Sequence, residues 1–330
     1  RSDAITTQLL KDQAKLAPEG ASGAGLTEFD GLASDYGPNI AERSIAESQK
    51  QLAGLKAKLA AEKDPQVRQD IEILIGSVED DITGTRLNQK YQLPWLDVPQ
   101  FVFGNVQSLL DDQIPAARRG KALELLQRYT GLYQGSTSLA EQGKARYTEK
   151  LGNAALIGPV QARVQRSIDN TPTYIKGIRE LFAKYKISGG DAALAAMEKQ
   201  LTDYAAWEKS TVMQRARTDF RLPPEQYAFR LKTIGIDIPP QLLVQRAQVE
   251  FMETRNAMQQ IAPLVAKEKG IDATDYRDVI RALKKDTIPN DQLEKTYADV
   301  NHSLEQAIVA RRVVSLPTRP MLMRLASDAE

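Results

Sequence analysis

Apolar positions recur at helical spacing along most of the chain. Within residues 40–63 they form one stripe, Ile45, Leu52, Leu55 and Leu59, and charged residues fill the other faces. Asp64 is a favourable N-cap and Pro65 suits the first helical turn, so a second helix is expected to start almost at once. The pattern therefore predicts an antiparallel helical hairpin with a very short connection.

Prolines and glycines divide the rest of the chain into further helical segments. Helix starts are predicted at Pro115, at Pro172 with Thr171 as the N-cap, at Pro224 and at Pro240. Two more segments cover residues 272–285 and 290–312, and glycines lie between many of the segments. The expected architecture is an all-α, multi-helix array of about ten to twelve helices with a short terminal extended segment.

Three stretches depart from the helical pattern. Residues 1–39 include a glycine-rich region and are expected to form a flexible or covering N-terminal arm. Residues 93–106 are apolar but are interrupted by prolines, which makes a strand unfavourable. Residues after Pro317 are predicted to be extended, and a lone strand needs a partner. Residues 40–330 are expected to form a helical domain, with a candidate sub-boundary near residues 92–114.

The composition narrows the classes of function. Lys and Arg number 44 and Asp and Glu number 43, so the chain lacks the basic excess that nucleic-acid-binding proteins carry. The absence of cysteine excludes disulfides, thiolate metal sites and a cysteine nucleophile. A single histidine excludes a helical zinc site that needs two imidazoles. No apolar run reaches the length of a membrane span.

The residues that could carry chemistry do not form a catalytic pattern. His302 has Asp299 and Glu305 three residues away on either side of it in a predicted helix. A general base needs such a carboxylate nearby, but the simpler interpretation is a solvent-facing or hydrogen-bonded helix histidine. Adjacent acids, such as Asp111 and Asp112, point to different sides of a helix and do not converge. No residue of the chain is predicted to be catalytic or to bind a metal.

One group of residues is the best candidate for contact with an anionic substrate. It consists of Arg215, Arg217, Arg221, Tyr227 and Arg230, which flank a Leu-Pro-Pro turn. Arginine binds carboxylates through two parallel hydrogen bonds. Salt bridges to neighbouring helices are the alternative use of the same arginines. We predict that Tyr227 and Arg230 are the substrate-binding residues.

Several stretches in a fixed order resemble a known family. They are FRLPPEQYAFRLK at residues 220–232, GIDIPPQLL at 235–243, GPVQ at 158–161, NTPTYIKGI at 170–178 and the segment at 315–330. Their order and spacing resemble the bacterial domain-of-unknown-function 885 family over roughly residues 26–330. No single motif is diagnostic, and the resemblance rests on the ordered set.

The resemblance implies a larger, zinc-dependent protein. Members of the family are largely helical, about twice this length and similar to zincin-type metallopeptidases, which are hydrolases. Many carry signal or lipoprotein peptides, which implies a periplasmic or cell-envelope location. Their metal site, a His-Glu helix followed by Pro-Gly-His, lies in the C-terminal half, and no position of this chain matches it. The resemblance therefore implies that zinc is bound by a C-terminal half and not within this chain.

These considerations lead to two functional hypotheses. The first is that the chain is the N-terminal helical, substrate-cleft-forming part of a metal-dependent peptidase or related hydrolase of unknown substrate. Its partners would be its own C-terminal half and a peptide-like substrate, and it would not be catalytically competent alone. The second hypothesis is a stand-alone helical protein–protein interaction or scaffold module. A large exposed apolar face around residues 313–326 would count against the second hypothesis.

Overall fold

The computed structural model describes residues 1–319, 321 and 323–329. Contacts divide the chain into two compact units. The first is Arg1–Gly235 with Asp328 and Ala329, and the second is Ile236–Ser327. Pro320 and Leu322, which belong to the segment predicted to be extended, lie outside the described residues.

The first unit contains eleven α-helical segments within the described residues. They are α1 Ser2–Gln13, α2 Pro18–Gly23, α3 Ile40–Ala61, α4 Pro65–Tyr91, α5 Val98–Gln107, α6 Ala116–Arg119, α7 Lys121–Tyr129, α8 Leu139–Leu151, α9 Gln161–Lys184, α10 Asp191–Trp207 and α11 Pro224–Thr233. A π-helical turn at Glu208–Val212 follows α10 directly. The described residues form no strand, only isolated parallel bridges of Gln92 with Ile157 and Val160 with Arg217. The all-α prediction is confirmed.

The predicted hairpin is formed by α3 and α4. The Asp64 side chain caps α4 by accepting hydrogen bonds from the backbone N–H groups of Gln66, at 3.0 Å, and Val67, at 3.4 Å. Leu55 of α3 and Ile71 of α4 are buried in one apolar cluster between the two helices. Capping by the Asp-Pro pair and the apolar stripe therefore act together, as the sequence pattern predicted.

The largest core of the first unit lies among α5, α7, α9 and α10. Phe103 of α5 stacks on Tyr174 of α9, with ring centroids 5.2 Å apart. Ile178 and Met197 are almost completely buried in the same cluster. Burial of each such side chain contributes about 1.5–3 kcal/mol to stability. This packing fixes the relative positions of the four helices, and α8 is packed at the edge of the same core through Leu139.

The helix start predicted at Pro172 is wrong. Pro172 lies inside α9, which runs without interruption over Gln161–Lys184. A proline there removes the N–H that would bond to the carbonyl of Ile168. Thr171 is not an N-cap, because its hydroxyl donates back to the carbonyl of Ser167 over 2.7 Å. Burial of one complete face of α9 outweighs the local signal that favours a break.

Residues 1–39 are anchored to the first unit at two places. Leu9 of α1 is buried in the apolar cluster of the α3–α4 hairpin. Arg118 donates to the Asp30 carboxylate from Nε over 2.8 Å and from Nη2 over 2.9 Å. The Ser22 hydroxyl donates to the same carboxylate over 2.6 Å, and the Asp30 side chain is only 2% exposed. This ion pair holds residues 20–40, which we call the covering segment. They form one side of the cleft described below.

The second unit contains three helices, α12 Pro240–Lys269, α13 Tyr276–Leu283 and α14 Leu293–Arg311. The long helix predicted to start at Pro240 is confirmed, and Gly270 ends it with a positive φ of 65°. A small apolar cluster of Ala262, Ala266 and Val279 joins α12 to α13. Among the described residues, α14 has none that is buried. The apolar side chains of α14 are therefore left largely in solvent.

Candidate functional site

Two adjoining cavities open on the first unit. The larger, of about 880 Å³, lies among residues 33–38, α3, α7 and α8, and we call it the arginine cavity. The smaller, of about 430 Å³, lies among α3, α4, residues 92–95 and α8, and we call it the tryptophan cavity. Arg146 lines both of them. We call the pair the cleft. Concave sites of this size are where proteins usually bind small ligands and substrates.

Arg43 of α3 lines the arginine cavity and is held by a single residue. Its Nη1 donates to Asp35 Oδ2 over 2.8 Å, and its Nη2 donates to the Asp35 backbone carbonyl over 3.1 Å. Its Nε is buried and has no acceptor among the described residues. One carboxylate and one carbonyl therefore position this guanidinium group without using all of its donors.

Arg128 of α7 lines the same cavity and is only partly paired. Its guanidinium carbon lies 3.7 Å from the centroid of the Tyr133 ring, so the ring fixes the plane of the group. Its Nη2 donates to Glu124 Oε1 over 3.0 Å. Its Nε is buried without an acceptor in the described part of the chain. Arg128 is therefore held in place on one side and has hydrogen-bonding capacity left over.

Arg146 of α8 stands where the two cavities meet. Its Nη1 donates to the backbone carbonyl of Tyr36 over 3.1 Å, which ties the covering segment to α8. Its Nε donates to Glu149 Oε2 over 2.9 Å, and its Nη2 also binds Glu149. The side chain is only 11% exposed. Because its bonds are already made, Arg146 acts mainly as a wall and a fastening between the cavities.

The arginine cavity also contains acceptors. The carboxylates of Asp35 and Glu141 line it, and two of the three guanidinium groups, those of Arg128 and Arg146, are paired with Glu124 and Glu149. Gln142 donates from Nε2 to the carbonyl of Thr137 over 2.8 Å, which fixes the orientation of its amide. The Oε1 of Gln142 is buried with no donor among the described residues. These atoms are shielded from solvent, so they lie behind the surface of the cavity.

The tryptophan cavity has a different lining, an aromatic ring among carboxamides. The carboxamides belong to Asn39, Asn88, Gln89, Gln92 and Asn153, and Trp95 and Lys150 lie beside them. A carboxamide both donates and accepts, which suits a ligand with alternating donors and acceptors. An aromatic face next to such groups binds the apolar part of the same ligand. Both cavities also contain charged residues, and in the tryptophan cavity these are Glu42, Arg146, Glu149 and Lys150. The two cavities thus differ in that carboxamides and an indole ring are found together only in the second.

A buried polar cluster supports the tryptophan cavity from behind. Trp95 donates from Nε1 to Glu208 Oε1 over 2.9 Å. The Ser167 hydroxyl lies 3.0 Å from Asp97 Oδ1 and 3.1 Å from both oxygens of Glu208. The Ser167 hydroxyl has one hydrogen and can donate to only one of the two carboxyl groups. The contact with the other carboxyl group is a hydrogen bond only if that group is protonated and donates to Ser167. The geometry therefore indicates that Asp97 and Glu208 share one proton.

The electrostatics of this cluster agree with a shared proton. Burial raises the pKa of Glu208 to about 8, although hydrogen bonds from Trp95 and Ser167 oppose the shift. Burial also raises the pKa of Asp97, against hydrogen bonds from the backbone of Gln100 and from Ser167. Glu208 begins the π-helical turn, and π-helical insertions in α-helices often occur where a side chain is placed for function. In this chain the turn places the Glu208 carboxyl group within hydrogen-bonding distance of the Trp95 indole N–H.

The comparison with known protein families identifies the chain. The model of a bacterial protein family of unknown function (DUF885) matches residues 18–330. The chain belongs to the DUF885 family. No curated protein and no solved structure matches it. The family predicted from the ordered motifs is therefore confirmed, and the family itself assigns no activity.

In this DUF885 chain, Tyr227 and Arg230 lie on the exposed face of α11. The opposite face of α11 is held to α4, where Gln226 donates to the carbonyl of Leu87 over 3.3 Å. Tyr227 is 42% exposed, and neither Tyr227 nor Arg230 lines the arginine or the tryptophan cavity. The assignment of these two residues to substrate binding stays a prediction.

Two of the other three predicted arginines bind backbone carbonyls, and the third, Arg221, is exposed with its Nε 3.8 Å from Asp219 Oδ1. Arg215 donates to the carbonyls of Leu151 and Leu156, each over 2.8 Å. Arg217 donates to the carbonyl of Gly158 over 3.1 Å. These bonds tie the segment after the π-helical turn to the end of α8. Arg215 and Arg217 were expected either to bind a carboxylate or to form a salt bridge to a neighbouring helix. The structure shows neither use.

The fit of the chain to a zinc ion can be tested directly. His302 is exposed on α14, with its Nε2 2.9 Å from Gln306 Nε2. Asp299 accepts a hydrogen bond from Lys295, and Glu305 accepts one from Asn301, so both carboxylates have other partners. No group of three or more metal-ligating side chains occurs in the part of the chain that the structure describes. The described residues therefore do not fit a zinc site. Separately, no helix among the described residues is long and apolar enough to cross a membrane.

Sequence reasoning missed the residues that line the cleft. Arg43, Arg128 and Arg146 stand in three different helices, each in a locally ordinary, amphipathic context. Glu208 follows an apolar helix and shows no motif around it. A weak signal existed for Trp95, because it lies between two prolines in an apolar segment outside the helical pattern. Only the tertiary arrangement of α3, residues 33–38, α7 and α8 brings the three arginines to one cavity.

Proposed function

We propose that this chain is the substrate-cleft-forming helical part of a metal-dependent peptidase or related hydrolase. The observation that carries the proposal is the cleft itself, a charged cavity of about 880 Å³ beside an amide-lined cavity of about 430 Å³. An extended substrate can place one end in each cavity. The similarity of the family to metallopeptidases supplies the reaction class.

The chemistry of the lining supports an extended, peptide-like substrate. A peptide in extended form advances about 3.3 Å per residue and presents donors and acceptors along its length. The carboxamides around Trp95 match these groups, and Trp95 itself offers an apolar surface for one side chain. The guanidinium groups of the arginine cavity offer positive charge to the other end of the substrate.

In this proposal the metal is bound by residues outside this chain. The single histidine, His302, is on α14, and the described residues hold no ligand group for zinc. We therefore assign to this chain the binding and orientation of substrate, and to the C-terminal half of the family the zinc ion that would polarise the scissile carbonyl. The envelope location implied by the family resemblance stays a prediction.

The proposal is tested by comparing the 330-residue chain with a longer polypeptide that carries it and a C-terminal half. Both are incubated with a mixture of short peptides, and new termini are followed by mass spectrometry. We expect the longer polypeptide to contain about one zinc ion and to cleave peptides, and the 330-residue chain to bind but not cleave them. A longer polypeptide that holds no divalent metal and cleaves no peptide contradicts the enzymatic proposal.

Binding to the cleft can be followed through Trp95. The chain has two tryptophans, Trp95 and Trp207, so a Trp207→Phe variant reports on Trp95 alone. Trp207 packs against Tyr147 and Tyr204, away from the amide wall of the tryptophan cavity. We expect peptides to change the Trp95 fluorescence at saturating concentration. The Trp95→Phe variant, with Trp207 retained, is the matched control and should show no change.

The second candidate function is a helical interaction or scaffold module. The observation that favours it is the exposed apolar surface of the second unit. Its exposed large members on α12 and α14 include Leu264 at 69%, Phe251 at 62% and Val309 at 64%. Val313 at 68% and Val314 at 59% extend the exposed apolar side chains beyond α14. The exposed side chains near residues 313–326 count against this second candidate, whereas those on α12 and α14 favour it.

A further inference from the structure

The hydrogen bonds behind the tryptophan cavity form one chain that runs in a single direction. The Trp95 indole N–H donates to Glu208 Oε1 over 2.9 Å. When the Glu208 carboxyl group is protonated, it donates to the Ser167 hydroxyl over 3.1 Å, and Ser167 donates to Asp97 Oδ1 over 3.0 Å. Asp97 Oδ1 also accepts from the backbone N–H of Gln100 in the first turn of α5. Each hydrogen is then used once, and the chain connects the wall of the cavity to a helix N-terminus.

Loss of one proton breaks this chain at Ser167. The Ser167 hydroxyl has one hydrogen, so between two carboxylates it satisfies only one of them. The Glu208 carboxyl group is completely shielded from solvent, and the side chains that act on it are those of Trp95, Ser167 and Asp97, none of which is a cation. A buried carboxylate without a cation is unstable, so it must move or admit water.

Glu208 stands where such a movement is possible. It is the first residue of the π-helical turn Glu208–Val212, and a 3₁₀ turn, Met213–Arg215, follows directly. Short stretches of π and 3₁₀ geometry often mark hinges in helical segments. Trp95 is joined to the turn through its only polar atom, the indole nitrogen, so a displacement of the Glu208 carboxyl group removes the bond that fixes the ring.

The other ionisable side chains around this cluster keep their charge over the relevant range. They are Tyr147 and Lys144 of α8, Arg163 of α9, Tyr204 of α10 and Arg215 after the π-helical turn. Burial raises the pKa of both tyrosines, so their hydroxyls stay neutral up to pH 9. The guanidinium carbon of Arg163 lies 5.7 Å from the centroid of the Trp95 ring and favours an ionised Asp97. The pair of Asp97 and Glu208 is therefore the part of the cluster that changes charge between pH 6 and pH 9.

We propose that Glu208 positions Trp95 for ligand binding through the proton it shares with Asp97, so that the tryptophan cavity binds its ligand more weakly when that proton is lost. This inference rests on the proposed function and adds a control to the same site. Glu208 does not line either cavity and acts through Trp95, so it is a positioning residue. With the proton in place the ring is a fixed part of the wall, and without it the ring is no longer held.

The placement of the ring is measured first, without a ligand. In the Trp207→Phe variant, quenching of the Trp95 fluorescence by acrylamide reports how far a neutral solute reaches the ring. We expect the quenching constant to rise between pH 6 and pH 9 with a midpoint of about 8, where the buried Glu208 loses its proton. Glu208→Gln in the same background imitates the protonated acid and should keep the low constant at every pH. Far-UV circular dichroism at each pH restricts the comparison to folded samples.

Asp97→Asn tests whether the proton is shared. The charge of Asp97 raises the pKa of Glu208, and asparagine is as good an N-cap for α5 as aspartate. The amide of asparagine donates to Ser167, which can then donate to an ionised Glu208. We expect the step in quenching to move to lower pH. Glu180→Gln, on the exposed surface of α9, is the control and should keep the midpoint of the parent. If Glu208→Gln does not fold, the shift in Asp97→Asn decides.

The same pH series measures the effect on binding. The probe is N-acetyl-alanyl-phenylalanyl-alanine amide, which has no titrating group of its own. We expect its affinity, measured by isothermal titration calorimetry, to be about tenfold lower at pH 9 than at pH 6, because about a tenth of the chains then keep the proton. Glu208→Gln should bind the probe at both pH values as the parent does at pH 6. A role for Glu208 in folding alone would not produce this pH profile and its rescue.

The outcomes separate this inference from the proposed function. Quenching that does not change with pH, or that changes equally in Glu208→Gln, overturns the placement of Trp95 by Glu208. A quenching step with no change in affinity overturns the link to binding and leaves the cleft proposal standing. Absence of probe binding at every pH contradicts the proposed function and this link together, whereas a step that Glu208→Gln abolishes still supports the placement of the ring.

Discussion

The indole N–H of Trp95 is bound to a carboxyl group that is completely shielded from solvent, that of Glu208, over 2.9 Å. This bond joins the wall of the tryptophan cavity to the π-helical turn after α10. It also removes the only polar atom of the Trp95 side chain from the cavity, so a ligand meets the ring alone. The protonation of Glu208 therefore bears on the stability of the wall of the cleft.

The first prediction concerns the pH dependence of folding. In the folded chain burial raises the pKa of Glu208 to about 8, above its ordinary value of 4.5. A raised pKa of an acid means that the folded state binds the proton more tightly than the unfolded state. The stability contributed by this proton is complete below about pH 4.5 and is lost as the pH rises towards 8, by roughly 3–5 kcal/mol.

Glu208→Gln tests this prediction, because glutamine imitates the protonated acid. Its carbonyl accepts from Trp95, and its amide donates to Ser167, so the contacts of the neutral form are kept. We expect the variant to match the parent in urea unfolding at pH 5 and to be clearly more stable at pH 9. Glu180→Gln, on the exposed surface of α9, is the control and should follow the parent. An unchanged pH profile in Glu208→Gln would contradict the assignment.

The second prediction concerns the close approach of two backbone segments. A Cβ atom on Gly158 would lie 1.7 Å from the carbonyl oxygen of Arg215. The conflict is with backbone, which cannot turn away as a side chain can. Gly158→Ala should therefore lower the free energy of unfolding by more than about 3 kcal/mol or prevent folding.

Gly152→Ala is the matched control for Gly158→Ala. It lies just after α8, and a Cβ there has no neighbouring atom within 4 Å. We expect a change of less than about 1 kcal/mol in chemical denaturation. Comparable destabilisation by both substitutions would show that the approach of residues 158 and 215 is not the cause.

The third prediction concerns the ion pair that fastens the covering segment. Burial by itself would raise the pKa of Asp30, but hydrogen bonds from Arg118 and Ser22 outweigh it and lower the pKa below 3.8. The pair therefore stabilises the fold above about pH 4 and loses this contribution as the pH falls further. Asp30→Asn should cost about 3 kcal/mol at pH 7, because it leaves the Arg118 charge without its partner.

The control for Asp30→Asn is Asp203→Asn, which removes an exposed carboxylate paired with Lys199 on the same helix. It should change stability by less than about 1 kcal/mol. Limited proteolysis provides a local readout, because loosening of the covering segment exposes residues 20–40 to cleavage. If Asp30→Asn is no more susceptible to proteolysis than the control, the pair does not fasten the segment.

The fourth prediction distinguishes two locations for substrate contact. Tyr227 and Arg230 project from the exposed face of α11, whereas Arg43 and Arg128 line the arginine cavity. If the cleft binds the peptide, Arg230→Gln should change the peptide affinity measured by Trp95 fluorescence less than about twofold, as expected for an exposed charge. A loss of about tenfold or more in Arg230→Gln or Tyr227→Phe would instead assign peptide binding to α11.

The α3–α4 hairpin and the long helix α12 show what local patterns can predict. Asp64 and Pro65 define a start that depends only on neighbouring residues, and the apolar stripe of α3 repeats at the helical period. Pro172 shows the limit of the same reasoning. Its local signal favours a break, but the burial of Ser167, Thr171 and Tyr174 along one face keeps α9 continuous. The free energy that decides between the two is tertiary.

The sequence by itself determined the all-α class, the family, and the absence of cysteine-based or two-histidine metal chemistry. Each of these follows from composition, periodicity or the order of motifs, which are properties of the chain read locally. The tertiary structure alone decided the cleft. Arg43, Arg128 and Arg146 line one cavity because α7 and α8 share an apolar core and Asp35 holds Arg43 of α3 beside them, and the pKa of Glu208 is raised because folding removes it from water. The closeness of these side chains and their removal from water arise only when distant segments meet. A local sequence pattern therefore predicts neither.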